Sequence, residues 1–219
     1  MSLMSVLTAA RSRAIEAPQP GALTLRNASG NDLPLNPDRW HGQITPVEGV
    51  LLGSLRGPVL DVGCGPGRIV ACLARRGIVA LGVDPAPAAV ALTQQRGGPV
   101  LERSVFDPLP GEGRWASVLL LDGNIGIGGD PVRLLRRCRA LLCRHGSVVA
   151  EVESPGTGWR NHQARLERDH DVSAWFPWSI VGADAIAEIA AQAGLGVHAI
   201  DDAGEGRWFA HLSVERAPF

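Results

Sequence analysis

The stretch between residues 58 and 84 constrains the fold of this chain more than any other. It contains, in order, an apolar strand (58–62), a glycine loop (Gly63–Gly67), a helix (68–76) and a second strand (79–83) followed by Asp84. The glycines allow a sharp turn and let a ligand lie against main-chain N–H groups at the helix start. A carboxylate after the second strand is placed to accept hydrogen bonds from ribose hydroxyls. The stretch therefore predicts a nucleoside-binding βαβ unit, although a tight turn without a ligand would need the same glycines.

The spacing of the loop favours one kind of nucleoside. A dinucleotide site has the pattern G-x-G-x-x-G/A, whereas this chain has G-x-G-x-G followed by Arg68. Asp61, in the strand before the loop, would repel a phosphate but would attract an ammonium or sulfonium group. A pyrophosphate-containing cofactor is therefore disfavoured, and an NAD(P)-dependent oxidoreductase remains the alternative.

The sequence Val59–Gly67, VLDVGCGPG, resembles the first motif of class I S-adenosylmethionine-dependent methyltransferases, and the resemblance spans residues 60–153. It implies S-adenosylmethionine as cofactor, S-adenosylhomocysteine as product, and methyl transfer to an oxygen, nitrogen or carbon of a small molecule. It also implies an α/β, Rossmann-like three-layer sandwich with a seven-stranded, mostly parallel sheet and an antiparallel last strand. A non-catalytic protein that binds either nucleoside would carry the same motif, and it stays a further alternative.

The cofactor site is predicted at the carboxyl ends of the parallel strands, where open sheets bind their ligands. The resemblance places Asp107 at the adenine amino group, with Phe106 over the adenine face, although Asp107 would also suit a plain turn. A second glycine-rich loop follows the strand 117–121 and offers polar side chains to the methionine end or to the acceptor. The predicted cofactor residues are Asp61, Gly63, Cys64, Gly65, Gly67, Asp84, Pro85, Phe106, Asp107, Asp122 and Asn124.

The acceptor site is predicted from aromatic residues outside the cofactor half, where five of the six tryptophans lie. An aromatic pocket with few polar groups would suit a small organic acceptor, although ordinary packing explains each tryptophan equally well. The substrate-binding candidates are Trp40, His41, Trp159, Trp175 and Trp178. Alignment of acceptor, methyl and sulfur supplies much of the rate of such a reaction, so the sequence assigns no general base. The polar candidates for that role are His41, His162, His170 and Asp122.

Residues outside the central stretch are predicted to extend one domain. Residues 1–50 are assigned to an N-terminal helix and a cap segment, with a Pro- and Gly-rich loop over 17–42, and residues 51–219 to the cofactor-binding domain. The connection 154–182 is too long for a simple turn and is predicted to be a lid insertion. Within it, the pattern favours a β-hairpin of residues 163–169 with residues 172–176.

Composition excludes several other classes of function. A chain of 219 residues that is 45% hydrophobic, with a net charge of −1, fits one globular domain. It has no Lys/Arg run for a phosphate backbone, which argues against a nucleic-acid partner. The four cysteines lack metal-ligand spacing, so no metal is predicted and they suit a reducing cytoplasm. No stretch has the apolar length of a membrane span. A cytoplasmic protein without a membrane partner is predicted, and its oligomeric state is left open.

Overall fold

The computed structural model describes residues 23–34, 37–168 and 170–214. In chain order its strands are β1 (Thr24–Asn27), β2 (Asp32–Leu33), β3 (Val59–Val62), β4 (Ala80–Asp84), β5 (Val100–Glu102), β6 (Trp115–Leu120), β7 (Leu142–Val152), β8 (Trp159–Arg168), β9 (Asp171–Val172), β10 (Phe176–Val181), β11 (Leu195–Asp202) and β12 (Trp208–Val214). The helices are α1 (Pro37–His41), α2 (Pro46–Ser54), α3 (Arg68–Arg75), α4 (Pro87–Gln95), α5 (Pro131–Leu141) and α6 (Ile186–Gln192). The helix predicted at the N-terminus lies outside the described residues.

The larger sheet has seven strands in the order β11-β12-β7-β6-β3-β4-β5. Strands β5, β4, β3, β6 and β7 pair in parallel, whereas β12 is antiparallel to both of its neighbours, β7 and β11. The predicted seven-stranded, mostly parallel sheet with an antiparallel last strand is therefore confirmed. Its parallel strands all present their carboxyl ends at one edge, which is where the predicted cofactor residues gather.

Apolar side chains cover this sheet on both faces. Successive strand residues point to opposite faces: Val118 belongs to a buried cluster with α4, α5 and α6, and Leu119 belongs to a second cluster with α2 and α3. Helices therefore pack against both faces, and the predicted three-layer α/β sandwich is confirmed. No helix among the described residues is long and apolar enough to cross a membrane.

A second, antiparallel sheet was missed by the sequence analysis. Its strands follow the order β10-β8-β1-β2, with β9 paired to β8. The predicted loop at 17–42 is thus wrong over its described part, which contains β1, β2 and α1. Leu25 of β1 is fully buried and is paired with Leu166 of β8. Two apolar residues that lie far apart in the sequence stabilise this pairing, and local composition does not show it.

The hairpin predicted within 154–182 is present and extends further than predicted. Strand β9 pairs with the end of β8, with Val172 opposite Glu167. The pairing continues in β10, from Phe176 opposite Ala164 to Val181 opposite Trp159. Residues from Trp178 to Val181 are buried, so this extension places further apolar surface in the core.

Candidate cofactor and acceptor site

The loop between β3 and α3 depends on its glycines. Gly63, Gly65 and Gly67 have φ angles of +68°, +54° and +77°, in the left-handed region. A Cβ on Gly63 would lie 2.8 Å from Nδ2 of Asn124, and one on Gly67 would overlap the Thr93 side chain. The Asn124 amide donates to the main-chain oxygens of residues 62 and 63, at 2.9 and 3.0 Å. The second glycine-rich loop therefore holds the first one in place.

Asp84 lies at the end of β4, directly beside this loop. Its Oδ2 accepts a hydrogen bond from the Gly65 amide at 3.1 Å, and its Oδ1 accepts one from the Ala86 amide at 2.9 Å. The side chain is fully buried. These bonds fix the carboxylate between the loop and the start of α4, with Pro85 between the two.

A small cavity lies in front of the loop. Its volume is about 30 Å³, enough for a water molecule but not for a nucleoside. A cofactor therefore enters this space only if its lining moves. Trp40 of α1 closes one side, and Arg96, which follows α4, donates to the main-chain oxygens of Trp40 and His41, at 3.4 and 3.1 Å. The lining residues are Trp40, Asp61, Gly63, Cys64, Gly65, Pro66, Arg68, Ile69, Leu121, Asp122 and Asn124.

Asp61 presents an unsatisfied carboxylate to this cavity. It is 3% exposed, and its Oδ2 accepts no hydrogen bond from the described residues. Burial raises the pKa of Asp61 to about 7; the charge of Arg68 opposes this shift, and that of Asp122 adds to it. A bound ammonium or sulfonium would stabilise the charged form. Cys64, beside it, stays a thiol because burial raises its pKa well above the usual value.

A network of buried ion pairs lies behind the cavity. Arg68 contacts Glu48 and Asp122, at 2.5 and 2.7 Å. Arg207, which is 1% exposed, donates two 2.8 Å hydrogen bonds to Glu151 and one to Glu48. The Asp122 amide donates to Glu151 at 2.7 Å, which holds Asp122 at an unusual φ of +54°. The end of β6 is thus fixed from both sides by arginine–carboxylate pairs.

A second cavity, of about 300 Å³, adjoins the first at Asp122. Its polar lining consists of carboxylates and one guanidinium, that of Arg39 on α1. Glu153, which follows β7, takes part in no side-chain hydrogen bond or ion pair with the described residues. Burial together with the charge of Glu151 raises its pKa, and the charge of Arg39 opposes this shift. The lining residues are Pro34, Arg39, Asp122, Gly123, Glu151, Val152, Glu153 and Gly206.

Comparison with known proteins identifies one domain within the chain. Residues 59–146, which contain the glycine loop, Asp84 and the second loop, match the family model described as "Methyltransferase domain". This segment of the chain is a methyltransferase domain. No curated protein matches the chain in sequence.

Solved structures share the fold of this methyltransferase over most of its length. A SAM-dependent methyltransferase from Bacteroides fragilis, in complex with S-adenosyl-L-homocysteine, is 18% identical with a TM-score of 0.77, over 98% of this chain and 96% of that one. The CcbJ methyltransferase from Streptomyces caelestis is 18% identical, with a TM-score of 0.61, over 80% of this chain and 98% of that one. The 1,6-didemethyltoxoflavin-N1-methyltransferase of Burkholderia thailandensis, with its substrate and S-adenosylhomocysteine bound, is 20% identical, with a TM-score of 0.56 over 80% of each chain.

The structure brings most of the predicted cofactor residues of the methyltransferase together. Asp61, Gly63, Cys64, Gly65, Asp122 and Asn124 line the small cavity. Phe106 and Asp107 do not line it. Phe106 lies under the Arg133 guanidinium, 4.5 Å from its carbon to the ring centroid, and the Asp107 carboxylate accepts the Ser104 amide at 3.1 Å. Their contact with adenine stays a prediction.

The predicted acceptor residues are more scattered. Trp40 lines the small cavity, whereas Trp178 is 2% exposed and packs edge-on against Phe176. Trp159 and Trp175 are 39% and 45% exposed, and neither lines the two cavities described above. Of the histidines proposed as bases, His41 and His170 are exposed and His162 is half-buried in β8.

Sequence reasoning assigned no role to five functional candidates: Arg39, Glu48, Glu151, Glu153 and Arg207. A local signal existed only for Glu48, which forms a capping box with Thr45 at the start of α2. Its second role, as the partner of Arg207, joins residues 159 positions apart. The acidic lining of the larger cavity likewise comes from the ends of two strands, β6 and β7, which the folded chain brings together.

Proposed function

We propose that this methyltransferase transfers the methyl group of S-adenosylmethionine to a small organic acceptor bound in the larger cavity. The observation that carries the proposal is that this cavity meets the cofactor cavity at Asp122. An acceptor there would lie next to the methionine end of a cofactor at the glycine loop. The volume of about 300 Å³ is at the lower end for small-molecule sites.

The proposed roles of the residues follow their positions. The main chain of Gly63–Gly67 would hold the methionine part, Asp84 the ribose hydroxyls, and Phe106 and Asp107 the adenine. Asp61 would pair with the ammonium of the cofactor, which would satisfy its free Oδ2. The bound substrate of the toxoflavin-type neighbour supports a small acceptor by analogy of fold alone.

The insertion at 154–182 is proposed as a cover for the acceptor. Two isolated β-bridges support this role, since they join Ile127 in the second loop to Trp178 and Glu153 to Gly182. Pro34, next to β2, lines the larger cavity as well. The small sheet would thus shield a reacting pair from water. A cytoplasmic location remains part of the proposal, supported by four free cysteines.

Binding of S-adenosylhomocysteine tests the cofactor assignment. We expect it to raise the melting temperature, and we expect Asp84→Asn to reduce the shift strongly because the amide cannot accept from both ribose hydroxyls and the loop amides. Glu102→Gln, an exposed position at the end of the neighbouring strand, is the matched control and should keep the full shift. Circular dichroism checks that both variants fold.

Three results would contradict the proposal in different ways. No shift with folded wild-type protein removes the cofactor assignment. Stabilisation by NAD(P) instead would indicate an oxidoreductase. Tight binding of S-adenosylhomocysteine with no acceptor gaining one methyl group in a broad small-molecule screen would indicate a non-catalytic binding protein.

A further inference from the structure

The larger cavity carries an excess of negative charge that the protein itself does not neutralise. Its polar side chains are Asp122, Glu151, Glu153 and Arg39. None of the tryptophans proposed from the sequence lines it. The carboxylates are not arranged as a metal site, because the described residues contain no group of three or more such ligands placed to hold an ion.

The nearby guanidiniums are already engaged. Arg207 is bound by Glu151 and Glu48, and Arg68 by Glu48 and Asp122. Arg39 lies 3.3 Å from Glu151. Five carboxylates face three guanidiniums in this region, and the two without an ion pair to a described residue are Asp61 and Glu153. One of them lines each cavity.

The cofactor neutralises only one of these two charges. S-adenosylmethionine carries an ammonium, a sulfonium and a carboxylate, so its net charge is +1. In the smaller cavity it would lie beside Asp61, which lines that space. Glu153, on the far side of Asp122, then still faces the acceptor as a half-buried carboxylate without a partner. Leaving it unpaired is unfavourable, because a charge withdrawn from water needs an opposite charge or hydrogen-bond donors.

We infer that the acceptor is an amine, held as an ammonium ion by Glu153 in the larger cavity. This inference rests on the proposed methyl transfer to a small molecule. An acidic acceptor, such as a carboxylate or phenolate, would lie beside Glu153, which has no ion pair to a described residue, and would be repelled. Buried Asp122 Oδ1, which accepts no hydrogen bond from the described residues, offers a second acceptor for an N–H group.

The same arrangement serves the transfer step. The ammonium gives one proton to the Glu153 carboxylate, which frees the nitrogen lone pair. The lone pair forms the N–C bond while the S–C bond breaks and its electrons pass to sulfur, leaving S-adenosylhomocysteine and a methylated ammonium. Burial and the Glu151 charge, which raise the pKa of Glu153, make it a better proton acceptor than an exposed glutamate.

Matched pairs of amines and alcohols test the inference. Benzylamine with benzyl alcohol, and cyclohexylamine with cyclohexanol, are titrated calorimetrically into protein saturated with S-adenosylhomocysteine. We expect each amine to bind at least tenfold more tightly than its alcohol. Glu153→Gln should abolish this preference, whereas Glu153→Asp, which keeps the charge, should retain part of it. Glu188→Gln, exposed on α6, is the control and should keep all of it. The affinity for S-adenosylhomocysteine should stay within twofold in every variant.

The outcomes separate the inference from the function on which it rests. If S-adenosylhomocysteine binds but alcohols bind as tightly as amines, or if Glu153→Gln keeps the preference, the amine inference is wrong and methyl transfer stands. If S-adenosylhomocysteine does not bind to folded protein, the proposed function fails and the inference fails with it. Methylation of an amine by wild-type protein, detected as a gain of one methyl mass and weakened at least tenfold in Glu153→Gln, supports both.

Discussion

Asp61 makes the stability of the ligand-free protein depend on pH. Its folded pKa of about 7 lies above its usual value of 3.8. An acid whose pKa is raised by folding binds more protons in the folded state than in the unfolded state at any pH between its two pKa values. The free energy of unfolding should therefore fall as the pH rises from about 4 to about 7.

The variant Asp61→Asn should remove this dependence. Without ligand, we expect it to be roughly 1–3 kcal/mol more stable than wild type at pH 8, with a smaller difference at pH 5. It should also bind S-adenosylmethionine about tenfold more weakly at pH 8, because the ammonium loses its charged partner. Thermal unfolding and calorimetry at the two pH values measure both effects. An equal stability difference at both pH values would show that Asp61 is not the titrating group.

A substitution at Gly63 tests whether the loop requires a residue without a Cβ at this position. Gly63→Ala places a Cβ at φ +68° and 2.8 Å from the Asn124 amide nitrogen, so we expect a loss of about 2–3 kcal/mol. Gly77→Ala is the control, since it has a φ of +71° but no atom within 4 Å of the added Cβ. It should lose only about 1 kcal/mol. Urea denaturation compares the two, and equal losses would mean that the contact with Asn124 contributes nothing.

At the level of elements, the ion pairs of Arg207 connect the start of β12 to α2 and β7. Arg207 precedes β12 and binds Glu48 of α2 and Glu151 of β7, all nearly inaccessible to water. Removing one partner of a buried ion pair leaves the other charges unpaired, which costs about 3–5 kcal/mol. We therefore expect Arg207→Met to lose that much stability in chemical denaturation.

A matched pair at the surface provides the comparison. Arg26 also binds a glutamate, Glu167, at 2.7 Å, but both side chains are partly exposed. Arg26→Met should cost less than about 1 kcal/mol. If Arg207→Met were no more harmful than Arg26→Met, the buried network would be structurally dispensable.

For the whole molecule, the sequence predicted features formed by residues close together in the chain and missed contacts between residues far apart in it. The loop Gly63–Gly67 and Asp84 are close in the chain, and their spacing alone fixes a βαβ unit. The small sheet depends on Leu25 meeting Leu166, and no local pattern records that pairing. The charge network joins Glu48 to Arg207 across 159 positions. The cofactor half was therefore predictable, and the acceptor half, assembled from remote segments, was not.

Helix α1 forms a wall of both cavities, and this has a thermodynamic consequence. Trp40 borders the cofactor space, and its neighbour Arg39 borders the larger one. A displacement of α1 that admits a nucleoside to the small cavity would also change the shape of the larger cavity. We therefore expect occupancy of one space to alter affinity in the other, and by linkage the influence would be equal in both directions. The five residues of α1 would thus couple the binding of the two ligands.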